Sequence, residues 1–178
     1  MKRSTYQKQV EAALAMYEKA GIVLSPQEKE RIEVVDFGLD NVEEMGLQIL
    51  TYVNTERVCA KEMVLFPGQT CAEHWHVDTN GMQGKEETFR CRYGKVYLYV
   101  DGEPTENIQA KLPTTKTTVR HEVVLNPGEQ YTIMPYTKHW FQAGKDGAII
   151  SEFSTKSRDE SDVFEDERIQ RIPEVETK

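Results

Sequence analysis

The chain has 178 residues, 38% of them hydrophobic and 29% charged, and a formal net charge of −8. This length favours one domain with one substantial core, and the acidic balance disfavours a nucleic-acid partner, because phosphate backbones attract basic surfaces. No run approaches the roughly 20 apolar residues of a membrane span. The basic N-terminus also lacks the unbroken apolar segment of a signal peptide. We therefore expect a cytoplasmic protein that binds neither nucleic acid nor membrane.

Residues 1–46 are predicted to form a helical arm. Apolar side chains between Tyr6 and Tyr17 recur at helical spacing and predict a helix over residues 4–20, which Gly21 ends. Ser25 and Pro26 predict the start of a second short helix, with the serine as N-cap. A segment this short cannot build its own core, so the arm should pack on the domain that follows.

From about Leu47 the chain becomes rich in β-branched and aromatic residues. Short runs of this kind are LQILTYV, CAKEMVLF, ETFRCRY, KVYLYV, RHEVVL, QYTIM and GAIISEF. They are separated by turn residues, including Pro67–Gly68, Gly94 and Asp146–Gly147. Many short strands with such turns are typical of an all-β sandwich or barrel. We predict a barrel over residues 47–170 and a charged tail over residues 171–178.

Three of the four histidines stand where a metal could be bound. His74 and His76 are two residues apart, which places both imidazoles on one face of a strand. His139 follows a later Pro-Gly turn, whereas His121 begins a strand and is given no ligand role. Neutral imidazoles that converge with a carboxylate from several strands make a site for a divalent transition metal.

Strand alternation selects Glu87 as the carboxylate. Glu87 shares a face with Phe89 and Cys91, whereas Glu86 shares the other face with polar and charged residues. An inward carboxylate is costly unless it is paired or bound to a metal. The alternative is that Glu86 and Glu87 are both surface charges. The three cysteines lack close ligand pairing and are expected to be reduced core thiols.

The segment Gly68–Gly94 resembles the first sequence motif of the cupins. It has a glycine, five residues, H-x-H, then a glutamate followed six residues later by a glycine, although ten residues rather than three or four precede that glutamate. Gly128 and His139 have the separation of the second motif, with a displaced proline. The resemblance implies a cupin-type jelly-roll β-barrel with His74, His76, Glu87 and His139 as metal ligands.

The wider sequence resembles the D-lyxose isomerase family of cupins. The likeness covers roughly residues 55–170 and rests on KEMVLFPGQTCAEHWH, GKEETFRCRYGKVYLYVDGE, PGEQYTIMPYTKHWFQAG and GAIISEFSTKSRDESDVFED. It implies a sugar isomerase that interconverts D-lyxose and D-xylulose, and also D-mannose and D-fructose, by metal-assisted proton transfer through an enediol. The implied ion is Mn²⁺, although Co²⁺, Fe²⁺, Ni²⁺ and Zn²⁺ suit the same ligands. We also expect a homodimer, since barrels of this kind often pair through edge strands.

Such an isomerase needs a base beside open metal positions. Glu152 lies in the apolar strand GAIISEFS and is preferred over Glu73 as the base, because burial would raise its pKa toward a useful value. Lys61 is the second catalytic candidate, as a group that holds a sugar oxygen or a developing oxyanion. The expected sugar contacts are Lys61, Glu73, Trp140, Arg158 and Asp162.

Two other functions fit the same residues. A cupin dioxygenase would use three histidines and a glutamate with iron or nickel. A non-catalytic sugar-binding cupin would hold a structural metal, which has no open coordination position. An inward glutamate beyond the metal ligands favours catalysis over both simple binding and a structural site.

Overall fold

The computed structural model describes residues 1–172 and 175–176. Their regular structure is mostly strand, with helix confined to the N-terminal part and to one short 3-10 turn at Asp159–Ser161. The helices are α1 Arg3–Lys19 and α2 Pro26–Lys29, and the strands are β1 Glu33–Val35, β2 Leu47–Asn54, β3 Cys59–Leu65, β4 Thr70–Trp75, β5 Glu87–Val100, β6 His121–Leu125, β7 Gln130–Ile133, β8 His139–Ser154 and β9 Val163–Phe164.

Helix α1 lies against the outside of the sheet. Ala13 and Tyr17 of α1 are buried in a cluster with Leu50, Val64 and Ile149. Helix α2 begins with the expected cap at Ser25, whose side chain accepts a hydrogen bond from Glu28 while the Glu28 side chain accepts one from the Ser25 amide. Neither helix is long and apolar enough to span a membrane. The arm is not entirely helical, because β1 lies within it and pairs with β2.

The strands form one sheet that curls around a core. Its order is β1-β2-β3-β8-β4-β9, and β5 pairs with β6, β7 and β8. A cluster of buried apolar side chains from several strands fills the interior, among them Met63, Phe89, Leu98, Phe141 and Ile150. The predicted all-β barrel with an N-terminal helical arm is confirmed. The division at residues 46 and 47 stays a prediction, as does the separate tail.

Strands β5 and β8 are longer than the sequence predicted. Gly94 and Gly147 were expected to be turns between separate strands, but they are bends inside continuous strands. Both have positive φ, and a Cβ on Gly94 would meet the Gly147 carbonyl oxygen at 1.9 Å. Residues 144–147 stand opposite Lys95 alone, so β8 bulges there. This bend turns both strands around the barrel.

The three cysteines are buried and form no disulfide. Their placement agrees with the expected core thiols. None belongs to the group of potential metal ligands found in the described residues.

Candidate active site

Four side chains from three strands meet inside the barrel. His74 lies on β4 and is paired across the sheet with His139 at the start of β8. His76 follows two residues after His74, and Glu87 begins β5. All four residues are buried, and one ligand atom from each lies within 4.8 Å of the others. These are the four predicted metal ligands.

Hydrogen bonds on the far side of each ring fix the imidazoles. The Nδ1 atoms of His74 and His139 donate to the carbonyl oxygens of Ala72 at 2.8 Å and Thr137 at 2.9 Å. His76 Nδ1 lies 2.7 Å from Asp162 Oδ1. Because carbonyl oxygens only accept, His74 and His139 carry their proton on Nδ1, and their Nε2 lone pairs remain available. Partners of this kind orient metal-binding histidines and set their tautomer.

The chemistry of this group fits a divalent cation. His139 Nε2 is fully buried and makes no hydrogen bond within the described residues, although Glu87 Oε1 lies 3.0 Å away. Burial and the neighbouring His139 and His76 hold the pKa of His74 well below its usual value, which keeps the ring neutral. Burial alone would raise the pKa of Glu87, but Lys85 and His76 hold it well below its usual value. Burial lowers the pKa of His76, but Glu87 and the hydrogen bond to Asp162 outweigh burial and raise it to about 9, so a metal would have to displace the proton of this ring. Imidazole nitrogens around an ionised carboxylate are the donor set that transition metals prefer.

A second layer of buried charges surrounds Glu87. Lys85 Nζ lies 2.7 Å from Glu87 Oε2 and 3.1 Å from Glu152 Oε1. Burial lowers the pKa of Lys85, but Glu152 and Glu87 outweigh burial and raise it well above its usual value. Lys61 Nζ contacts Asp159 at 2.7 Å and is 3.8 Å from Glu152. The ammonium groups therefore compensate the carboxylates beside the candidate metal site.

Glu152 lines the same cavity as His74 and Glu87, two of the four candidate metal ligands. It lies opposite Lys61 on β3 and Phe89 on β5, and only 2% of its surface is exposed. Its Oε1 atom accepts hydrogen bonds from Lys85 and Ser154, whereas Oε2 has no hydrogen bond with a described residue. The cavity is lined by His74, Lys85, Glu87, Glu152, Asp159 and Asp162 on its polar side, and by apolar residues such as Phe37, Met63 and Phe164 on the other.

Comparison with known proteins identifies the family. The sequence profile described as D-lyxose isomerase matches residues 30–178. The chain is 60% identical over 179 residues to the D-lyxose/D-mannose isomerase of Thermosediminibacter oceani, with 99% of each protein covered. It is 58% identical to the D-lyxose ketol-isomerase of Cohnella laeviribosi, with 90% of each covered.

The chain belongs to the D-lyxose isomerase family.

The solved structure of Cellulomonas parahominis L-ribose isomerase with L-ribose has the same fold. The alignment covers 99% of this chain and 98% of the L-ribose isomerase chain. Its TM-score is 0.74, and the two sequences are 16% identical. The family profile and the two relatives confirm the predicted resemblance and the prediction of an enzyme of the sugar isomerase class. The identity of the metal stays a prediction.

In this member of the D-lyxose isomerase family, two of the expected sugar contacts lie away from the cavity. The Glu73 carboxylate accepts hydrogen bonds from Thr118 N at 2.7 Å and Val119 N at 3.1 Å. Trp140 stacks on Tyr99 with ring centroids 4.0 Å apart and donates to the Val119 carbonyl oxygen. Both residues neighbour a metal ligand in sequence, so strand alternation turns them to the opposite face. They hold the long segment between β5 and β6.

The other expected residues lie at or near the cavity, in different positions. Lys61 and Asp162 line the cavity, whereas Arg158 is directed away from it and donates to the Gln83 carbonyl oxygen at 3.0 Å. Asp162 is already bonded to His76. As expected, Glu86 is exposed while Glu87 is buried.

Sequence reasoning missed two basic residues of this site. Lys85 lies two residues before Glu87, so the alternation that selected Glu87 would have placed Lys85 on the same inward face. Arg171 donates to Asp159 Oδ2 at 2.8 Å and to Glu33 Oε1 at 2.7 Å, although it begins the segment expected to be a tail. No local pattern marked Arg171, because its partners lie far away in sequence.

Proposed function

We propose that this protein is a metal-dependent aldose–ketose isomerase that interconverts D-lyxose and D-xylulose, and also D-mannose and D-fructose. One observation carries the proposal. The buried carboxylate of Glu152 lines the same cavity as His74 and Glu87, two of the four candidate metal ligands, an arrangement that sugar binding alone does not need. The names of two similar relatives support D-lyxose and D-mannose as the aldoses.

His74, His76, Glu87 and His139 would hold the ion, which we propose to be Mn²⁺. When bound, the ion supplies Lewis acidity for the sugar oxygens at C1 and C2. Lys85 holds Glu87 Oε2 at 2.7 Å, so Oε1 would be the Glu87 oxygen left for the ion. A carboxylate that donates one oxygen rather than two leaves coordination positions for substrate.

Glu152 is the proposed base. Lys85 and Ser154 fix its Oε1 atom, and Oε2 is left to accept a proton. Oε2 takes the proton from C2 of the aldose, and the electron pair of the broken C–H bond forms the double bond of the enediol. The C1 carbonyl electron pair moves onto O1, which takes up the proton of the O2 hydroxyl. The same carboxyl group then returns the C2 proton to C1, which leaves a carbonyl at C2 and gives the ketose. The Lys61 ammonium stabilises negative charge on the sugar oxygens during both steps.

The test uses protein stripped of metal with a chelator. We expect no isomerisation of the metal-free protein and restored turnover of D-lyxose when Mn²⁺ is added. D-mannose and other aldoses run in parallel rank the substrates, and Co²⁺, Fe²⁺, Ni²⁺ and Zn²⁺ rank the metals. Full turnover without metal would contradict the proposed metal dependence.

The reaction in D₂O tests the proton transfer. A base that exchanges its proton with solvent introduces deuterium at C1 of the ketose, whereas a direct hydride shift between carbons does not. Oxygen uptake measured in the same samples tests the dioxygenase alternative. The homodimer and the cytoplasmic location stay predictions, and light scattering of the purified protein tests the first of these.

A further inference from the structure

The cavity at the candidate active site is too small for a sugar. The centre of a water-sized sphere can reach a volume of about 30 Å³ in it, which is room for about two water molecules, since one needs roughly 10–15 Å³ by this measure. Pockets that bind small molecules enclose roughly 300–1,000 Å³. A five-carbon sugar with an oxygen on each carbon therefore enters only if part of the wall moves.

One part of the wall has no backbone attachment to the barrel. We call residues Arg158–Asp162 the gate segment. Its backbone hydrogen bonds, Ser161 N to Arg158 O at 2.8 Å and Asp162 N to Asp159 O at 3.2 Å, lie within the segment. Within the described residues, no backbone group of the gate segment bonds to any other segment. Most of the rest of the wall is strand and is joined by ladders of backbone bonds, which resist displacement. Its parts outside strands are also tied by backbone bonds, from Gln170 N to Phe37 O and from Thr155 N to Glu86 O, next to Lys85.

Both ends of the gate segment are anchored. On one side, the Ser157 amide and carbonyl groups bond to the Asn54 side chain at 3.1 and 3.0 Å. On the other side, Val163 pairs with Trp75 in the sheet. The segment can therefore swing between fixed ends without disturbing the barrel.

Side chains alone hold the gate segment closed. Asp159 binds Lys61 and Arg171, and Asp162 binds His76 at 2.7 Å. The segment also separates the cavity from two hollows outside it. One hollow is lined by His76, Lys85, Arg158 and Asp162, and the other, of about 190 Å³, by Lys61, Asp159 and Arg171. Displacement of the gate segment would join these spaces into one.

We propose that Arg158–Asp162 opens to admit the sugar, and that Asp162 is a positioning residue that couples closure of this gate to metal binding through His76. The identity of the entering molecule rests on the proposed function, whereas the coupling to metal does not. In the closed state Asp162 orients His76 toward the other ligands. Coupling is reciprocal, so the factor by which closure strengthens metal binding equals the factor by which metal favours closure.

Amide hydrogen exchange of the full chain tests the gate. In metal-free protein, the peptide over residues 156–164 should exchange much faster than the β3 and β8 peptides. Saturating Mn²⁺ should slow its exchange by about 10- to 100-fold, the factor by which partners of metal-binding histidines alter metal affinity. A peptide from residues 102–112, another surface segment without strands, should not respond. Exchange over 156–164 that is as slow as in the strands, or that ignores Mn²⁺, would overturn the proposal.

Three variants test the role of Asp162. Asp162→Ala should weaken Mn²⁺ affinity by about 10- to 100-fold and remove the effect of Mn²⁺ on exchange over 156–164. Asp162→Asn keeps an oxygen that accepts from His76 Nδ1, so its affinity should lie between those of Asp162→Ala and the wild type. Glu160→Ala is the matched control, because this residue lies on the gate segment and is exposed.

The control should keep wild-type affinity and exchange. Equal losses in Asp162→Ala and Glu160→Ala would mean that the segment acts only through general stability, which contradicts the positioning role. None of these measurements uses turnover. A failed isomerase assay would therefore refute the proposed function and leave the metal-coupled gate standing, and the reverse outcome would refute the gate alone.

Discussion

Replacing Lys85 by methionine should destabilise the metal-free protein strongly. Lys85 is buried, and its ammonium group lies 2.7 Å from Glu87 and 3.1 Å from Glu152. Methionine keeps an unbranched side chain and removes the charge together with its hydrogen-bond donors. The variant therefore leaves two buried carboxylates without their shared cation.

The geometry gives the size of the effect. At an effective dielectric constant of about 20, the attraction is roughly 6 kcal/mol at 2.7 Å and roughly 5 kcal/mol at 3.1 Å. Desolvation of the buried ammonium opposes this attraction by several kcal/mol. Measured losses on breaking a buried ion pair are about 3–5 kcal/mol. We expect the free energy of unfolding to fall by that amount.

Urea unfolding in the presence of a chelator measures this loss. Lys156→Met is the matched control. Lys156 forms an ion pair with Glu56 at 2.5 Å, and the Glu56 carboxylate is largely exposed. The control should unfold like the wild type. If Lys85→Met lost no more than the ~1 kcal/mol typical of exposed pairs, Lys85 would not compensate Glu87 and Glu152, and its assigned part in the site would be wrong.

Three further predictions concern other residues. Glu152→Gln should lower kcat by about 10²–10⁴-fold, the usual contribution of a general base, while titration shows unchanged Mn²⁺ affinity; retained turnover would exclude Glu152 as the base. Glu73→Ala should lower the free energy of unfolding by roughly 1–3 kcal/mol per unpaired buried donor and leave KM unchanged; a raised KM with normal stability would restore Glu73 as a sugar contact. Arg168 and the Lys116 amide hold the pKa of Asp166 below its usual value. Ionised Asp166 therefore stabilises the fold fully at pH values above its unfolded pKa of about 3.9. This contribution is lost as the pH falls through the lower pKa of the folded state. The difference in unfolding free energy between wild type and Asp166→Asn should therefore be constant from neutral pH to about 4 and shrink below it; a difference independent of pH throughout would contradict this assignment.

The metal ligands were predictable because local alternation decides which side chains enter a barrel. The same two-residue period separates Glu87 from Glu86 and would have added Lys85. The same period places Glu73 and Trp140 on the face that points away from the cavity, although their chemical type alone suggests sugar contacts for both.

The rest depends on distant parts of the chain. Arg171 reaches Asp159 and Glu33 from a segment whose sequence reads as a tail. Asp162 meets His76, which lies 86 residues earlier in the chain, because the neighbouring strand β9 pairs with β4. Gly94 and Gly147 read as turns because a local pattern cannot show that two bends face each other across neighbouring strands. Contacts of this kind are set by how the sheet curls, which no short window of sequence contains.

The curvature of β5 has a consequence for the chemistry. Glu87 begins this strand, and His139 pairs with Val100 at its other end. A straight strand would separate those ends by roughly 40 Å at about 3.3 Å per residue, yet Glu87 Oε1 and His139 Nε2 are 3.0 Å apart. Ligand spacing is therefore a property of the whole arc rather than of the four ligands. A side chain at Gly94 would force β5 and β8 apart. It would thereby change the distances between the candidate ligands, although Gly94 itself is not one of them.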